Sequence, residues 1–264
     1  MTDTTAETSP LAETPRIRPV GPGAVSAALR AGWADFLARP THIPFLFLVY
    51  PVIGVLITFV AFDYNLMPMV FPLIAGFALV GPITAVGVFE LSRRRERGEA
   101  PRLADALAIF RHPSAGAILR VALLLFLLFV VWLVVAQQVV FATVGRETPA
   151  GLGAFVETVL TTEAGWTMFL LGNGLGFLFA VAALAVSVVS LPMLVDGEAS
   201  ATRAVATSLR AVARNPLTMA AWGLAVAAIL AISMLPAFAG LIVALPWLGH
   251  ATWHLYRAVV ERPA

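Results

Sequence analysis

The chain has 264 residues, 60% of them hydrophobic and only 12% charged, with a mean hydropathy of +0.90. Soluble domains carry roughly 25% charged residues, so lipid is the expected solvent. The absence of cysteine excludes disulfides, thiolate metal sites, iron–sulfur clusters and cysteine nucleophiles. All 17 basic residues are arginine, which excludes a P-loop lysine and Schiff-base chemistry. With abundant Ala, Val and Leu, that usage also suggests a GC-rich bacterial genome. The sequence pI of 9.7 raises nucleic acid as a partner. The arginines flank apolar runs, however, and read as topology signals instead.

Residues 1–22 are rich in Thr, Glu and Pro and too polar to bury a core, so a disordered cytoplasmic tail is expected there. No apolar core followed by a small-residue cleavage site occurs in the first forty residues, so a cleaved signal peptide is not expected. The rest, 23–264, reads as one integral membrane domain. Six stretches are long and apolar enough to cross roughly 30 Å of hydrocarbon: 43–62, 66–90, 115–141, 167–195, 216–234 and 236–257. The link Asp63-Tyr64-Asn65 suits an antiparallel helix pair. With these spans, sixteen arginines fall on one side and Arg146 alone on the other. That bias places both termini in the cytoplasm of a bacterial inner membrane.

Three cytoplasmic stretches have helical apolar periodicity and are expected to lie in the headgroup plane. In 24–38, Val25, Leu29, Trp33, Phe36 and Leu37 share a face; in 103–110, Leu103, Leu107 and Phe110; in 201–214, Val205, Leu209 and Val212. Each ends in arginine followed by proline, at Arg39-Pro40, Arg111-His112-Pro113 and Arg214-Asn215-Pro216. Pro82, Pro192 and Pro246 each precede an arginine by eleven residues, Arg93, Arg203 and Arg257. The expected fold is therefore an all-α, six-transmembrane-helix bundle with three interfacial helices. It is built as three parallel repeats of interfacial helix plus hairpin, about 23–93, 101–203 and 201–257.

The segment Gly249-His250-Ala251-Thr252-Trp253-His254-Leu255-Tyr256-Arg257 carries the main chemical candidate. His250 and His254 are four apart, so both imidazoles leave one helical face, a spacing that suits two nitrogen ligands on one metal ion. In the proposed repeat Glu90 corresponds to His254 and Asp196 to His250, so the four residues form a candidate metal site at the cytoplasmic mouth. The competing reading is interfacial anchoring, since membrane boundaries favour Trp, His, Tyr and Arg. Gly172 and Gly176 form a small-xxx-small pair for close helix packing, with Asn173 expected to donate across the contact. Gln137 and Gln138 read as interfacial. The run Arg93-Arg94-Arg95-Glu96-Arg97 serves topology or attracts anionic lipid. There is no Walker motif, nucleophile set or pair of catalytic acids, and no carboxylate near mid-depth in a span, so neither an enzyme nor a pump is expected.

Several segments together, Ala28-Leu29-Arg30-Ala31-Gly32-Trp33-Ala34-Asp35-Phe36, Gly81-Pro82 through Glu90-Leu91-Ser92-Arg93-Arg94, Ser190-Leu191-Pro192-Met193-Leu194 and the closing GHATWHLYR, carry a resemblance over roughly residues 20–260. The chain resembles a bacterial family of predicted six-helix integral membrane proteins of unknown function. Some members of that family are labelled putative cytochrome c oxidase subunit I. A haem–copper catalytic subunit resembles a twelve-helix protein with at least six histidine ligands, whereas this chain has four histidines in all. The resemblance thus implies the membrane class and no activity. The functional expectation is a non-catalytic membrane component, an assembly or organising factor whose partners are the bilayer and other membrane proteins. The alternative is a transporter or binder of a small ligand or metal at His250 and His254.

Overall fold

A computed structural model describes residues 15–38, 52, 54–56, 67–145 and 151–261. Among them every element is helical: α1 (Gly23–Ala38), α2 (Met67–Thr84), α3 (Val86–Glu96), a 3-10 helix (Leu103–Arg111), α4 (Ala115–Thr143), α5 (Leu152–Thr161), α6 (Glu163–Ser187), α7 (Ser190–Asp196), α8 (Ala201–Arg214), α9 (Pro216–Met234) and α10 (Leu241–Val259). The expected first span, 43–62, lies outside the described residues apart from 52 and 54–56, which are helical.

Among the described residues three helical stretches are long and apolar enough to cross a membrane: Ala115–Thr143, Glu163–Asp196 and Pro216–Met234. Their outer surfaces are what lipid contact requires. Along α4, Leu119, Leu123, Phe126, Leu127 and Val134 are exposed, and along α6, Phe169, Leu170, Phe177 and Leu178. In water such a surface would aggregate; in hydrocarbon it is the solvated face. The opposite face of α4 packs on α2 and α6, where Trp132 donates to the Pro72 carbonyl at 3.0 Å and its ring fills the space beside Gly176.

The second expected span is two helices rather than one, broken at Ala85 between α2 and α3. The fourth breaks between α6 and α7: Pro192 has no N–H for the carbonyl of Val188 four residues back, and the Val189 N–H turns to the Ser208 hydroxyl at 3.2 Å. Ser190 through Val195 of α7 are all buried. The sixth expected span starts as helix only at Leu241, after a turn in which Ala237 and Phe238 have φ of 48° and 65°. More than half of α10 is buried, so it is an internal helix, with α1 laid along it.

Two expectations are corrected here. Residues 16–20 are not a free tail. Ile17 pairs with Val260 in an isolated antiparallel bridge, the Arg18 N–H donates to the Val259 carbonyl at 2.8 Å, and Glu261 N–H donates to Arg16 O at 3.0 Å. Asn215 and Thr218 secure the same strap through Val20 and Arg18. Backbone pairing and the Asn215 and Thr218 side chains fix it, with Ile17 and Val20 packed against the core. On α8 the buried residues are Ala204, Thr207, Ser208 and Ala211, while Leu209 is exposed; on α1 they are Val25, Ala28, Gly32 and Phe36, while Trp33 and Leu37 are exposed. On α8 small side chains allow close approach to the bundle, and on α1 Val25 and Phe36 pack inward beside Ala28 and Gly32. Finally, Asn173 donates to Phe169 O of its own helix at 2.8 Å, and among the described residues nothing packs against Gly172.

Candidate functional site

The polar residues gather where α3, α7 and α10 meet under α1. Glu90 on α3 is 1% exposed. Helical spacing brings Arg93 and Arg94, three and four residues on, back over it. Arg93 donates to both carboxylate oxygens, at 2.8 and 2.9 Å, and Arg94 Nε donates at 2.7 Å. Arg94 also reaches Asp105 of the 3-10 helix at 3.1 Å. A buried carboxylate is strongly unfavourable unless paired this completely.

Asp196, the last residue of α7, is held from α10. Arg257 grips both of its oxygens, through Nη2 at 2.6 Å and through Nη1, and the Tyr256 hydroxyl donates to it at 2.9 Å. The same guanidinium donates from Nε to Glu96 at 3.0 Å and lies 4.7 Å from the centroid of the Trp253 ring. This pair ties α10 to both α3 and α7.

Asp35 of α1 sits between them. Arg95 Nε lies 2.8 Å from its Oδ1, and His254 Nε2 lies 2.8 Å from its Oδ2. His250 is 3% exposed; its Nδ1 is 2.6 Å from the Ser92 hydroxyl and 4.0 Å from Asp35 Oδ2. Ser92, His250 and Asp35 are the residue types of a nucleophilic triad, but the geometry is wrong for one. A triad places serine and carboxylate on opposite ring nitrogens; here both address Nδ1. His250 Nε2 and Trp253 Nε1 have no hydrogen-bond partner among the described residues.

His250 and His254 do share a face, yet the four candidate residues are not brought together as one ligand set. Glu90 and Asp196 are each committed to arginines, and among the described residues no three His, Asp or Glu side chains group so as to hold a metal ion. The residue that the sequence reading missed as part of the site is Asp35. Its partner His254 is 219 positions away, and only the docking of α1 on α10 joins them. The Glu90–Arg93–Arg94 cluster did have a local signal, its three- and four-residue spacing, which the topology reading of the arginines obscured.

At the neighbouring boundary His112 follows the 3-10 helix, and its Nδ1 accepts the Ser114 N–H at 3.2 Å. Burial and, next, the positive charge of Arg93 lower its pKa below the ordinary 6.5.

No curated protein and no solved structure matches the chain. Residues 70–196 match a family described as Predicted integral membrane protein (DUF2189). The matched stretch runs through most of α2 to the end of α7 and carries Glu90, Ser92, Arg93, Arg94, Arg95 and Asp196. Asp35, His250 and His254 lie outside it. The family match and the lipid-facing apolar helices together mark the chain as an integral membrane protein in contact with the bilayer.

Proposed function

We propose that this protein is a non-catalytic component of a bacterial inner membrane, an assembly or organising factor acting on lipids or on other membrane proteins. Its fold in this reading is a six-span bundle of three parallel repeats with both termini cytoplasmic. The observation that carries the proposal is the use made of the polar residues. Asp35, Glu90 and Asp196 are each saturated by Arg or His partners from the protein itself, so the cluster acts as a clasp that fixes α1, α3, α7 and α10. A reacting group needs an approach for substrate and a correctly oriented base; Ser92 and His250 are buried with the wrong ring nitrogen engaged.

A second reading, a transporter or binder of a small ligand or metal, is favoured by one observation. The buried His250 Nε2 lacks a partner among the described residues, and buried polar atoms generally have one. Purification in mild detergent, with identification of co-purifying lipids, proteins and metals, separates the two. The first reading expects lipid or protein partners retained through clasp substitutions such as His250→Ala. Stoichiometric metal lost on that substitution would overturn it in favour of the second.

A further inference from the structure

The arginines of the clasp are matched to acids; those at the end of α8 are not. Arg210 bonds only to the Ala206 carbonyl and the Thr207 hydroxyl, and among the described residues neither Arg210 nor Arg214 has an acidic partner. The two are four apart and so share a face of α8. With Ala213, Pro15 and Ile17 they line a hollow of about 480 Å³. Arg16 and Arg18 of the strap are exposed but do not line the hollow; the Arg18 guanidinium donates to the Arg257 and Val260 carbonyls, and Glu261 meets Arg16 through backbone. Depth is fixed by the chain itself, because α9, one of the helices able to cross the membrane, begins at Pro216. Arg214 therefore lies within a turn of the hydrocarbon boundary. Flanking the arginines, Leu209 is 47% and Leu217 is 75% exposed. An unpaired double positive charge at headgroup depth, between exposed leucines, complements a phosphate that carries acyl chains.

We propose that the hollow between the N-terminal strap and the end of α8 binds the phosphate of an anionic phospholipid, held by Arg210 and Arg214, with acyl chains alongside Leu209 and Leu217. The inference rests on the membrane-component reading for its purpose only; partner identification tests that reading, and lipid titration tests this one. The experiment uses the full chain in phosphatidylcholine nanodiscs with increasing phosphatidylglycerol, and reads the thermal unfolding midpoint. Saturable stabilisation is expected. The R210Q/R214Q variant should need about thirtyfold more phosphatidylglycerol, from the contribution of each arginine at an anionic surface. R30Q/R97Q, which removes the same charge from other exposed positions, should shift the titration severalfold at most. Equal losses in the two variants mean diffuse surface charge and overturn the site. Stabilisation by inorganic phosphate without phosphatidylglycerol overturns the lipid assignment. Acidic Glu13 stands two residues before Pro15; if only a chain lacking residues 2–14 responds to lipid, the occupant is the protein's own N-terminus and the proposal fails.

Discussion

Replacing Gly32 with alanine is expected to loosen the contact that aligns the clasp. A Cβ at Gly32 falls 2.4 Å from Ala251 N, 2.6 Å from its Cα and 2.8 Å from its Cβ, where ordinary contact begins at 3.4 Å. The obstructing atoms are mostly α10 backbone, so no side-chain rotation relieves them and α1 must retreat by roughly 1 Å. Overpacking of this kind costs about 1–3 kcal/mol. Loss of a helical glycine offsets up to about 1 kcal/mol of that. The retreat also stretches two bonds across the same interface, Asp35–His254 at 2.8 Å and Trp247 Nε1 to Leu29 O at 2.9 Å, each worth roughly 1 kcal/mol. Net destabilisation of about 1–3 kcal/mol should follow. Gly172→Ala is the matched control: among the described residues nothing beyond its own helix lies within 4 Å of the added methyl, and it should be neutral or stabilising by up to about 1 kcal/mol. Denaturant unfolding in micelles, followed by tryptophan fluorescence, measures both. Gly32→Ala at or above wild-type stability, or the two glycines behaving alike, would refute the argument.

Reporter fusions after residues 64, 150 and 235 should report the periplasm and those after 100, 205 and 264 the cytoplasm; a cytoplasmic signal at 150 would end the six-span topology. Asp35→Asn removes the charge that Arg95 and His254 share and should destabilise by roughly 1–3 kcal/mol. In a double-mutant cycle with His254→Ala the coupling should be about 0.5 kcal/mol or more, and additivity would show that the contact contributes nothing. His112, whose pKa is lowered in the fold, gives a pH dependence of known sign. Below about pH 6.5 the unfolded chain takes up a proton that the folded chain refuses. Stability should therefore fall as pH drops through that value and level off below the folded pKa. His112→Gln should flatten that segment of the unfolding-midpoint curve; an unchanged slope would assign it to other groups.

Local elements were legible where one residue sets a boundary. Pro216 starts α9 and the Arg214-Asn215 pair ends α8, so both helices run over the residues read from sequence. Apolar periodicity found the amphipathic helices but not which of their residues dock on the bundle: α1 packs through Val25, Ala28, Gly32 and Phe36, and α8 through Ala, Ser and Thr. Within lipid that choice is physical, since leucine gains little by leaving hydrocarbon while small residues permit close backbone approach. The histidine pair was legible as a face and not as a site. One helical turn separates His250, buried on Ser92, from His254, which meets Asp35. Which acid would answer each base depended on α1 docking on α10, and no local pattern encodes that.

The strap formed by residues 16–20 has a consequence for biogenesis. Arg18 leaves the ribosome early, but its backbone partner Val259 is made about 240 residues later, a delay of roughly 10–50 s at ordinary rates of translation. Until then the strap and the inner face of α1 have no α10 to dock on, although α8 and α9 can already be in place. The strap therefore seats fully only after α10 has been made. A chain stalled before α10 leaves Val25, Ala28 and Phe36 of α1 without the helix they pack on.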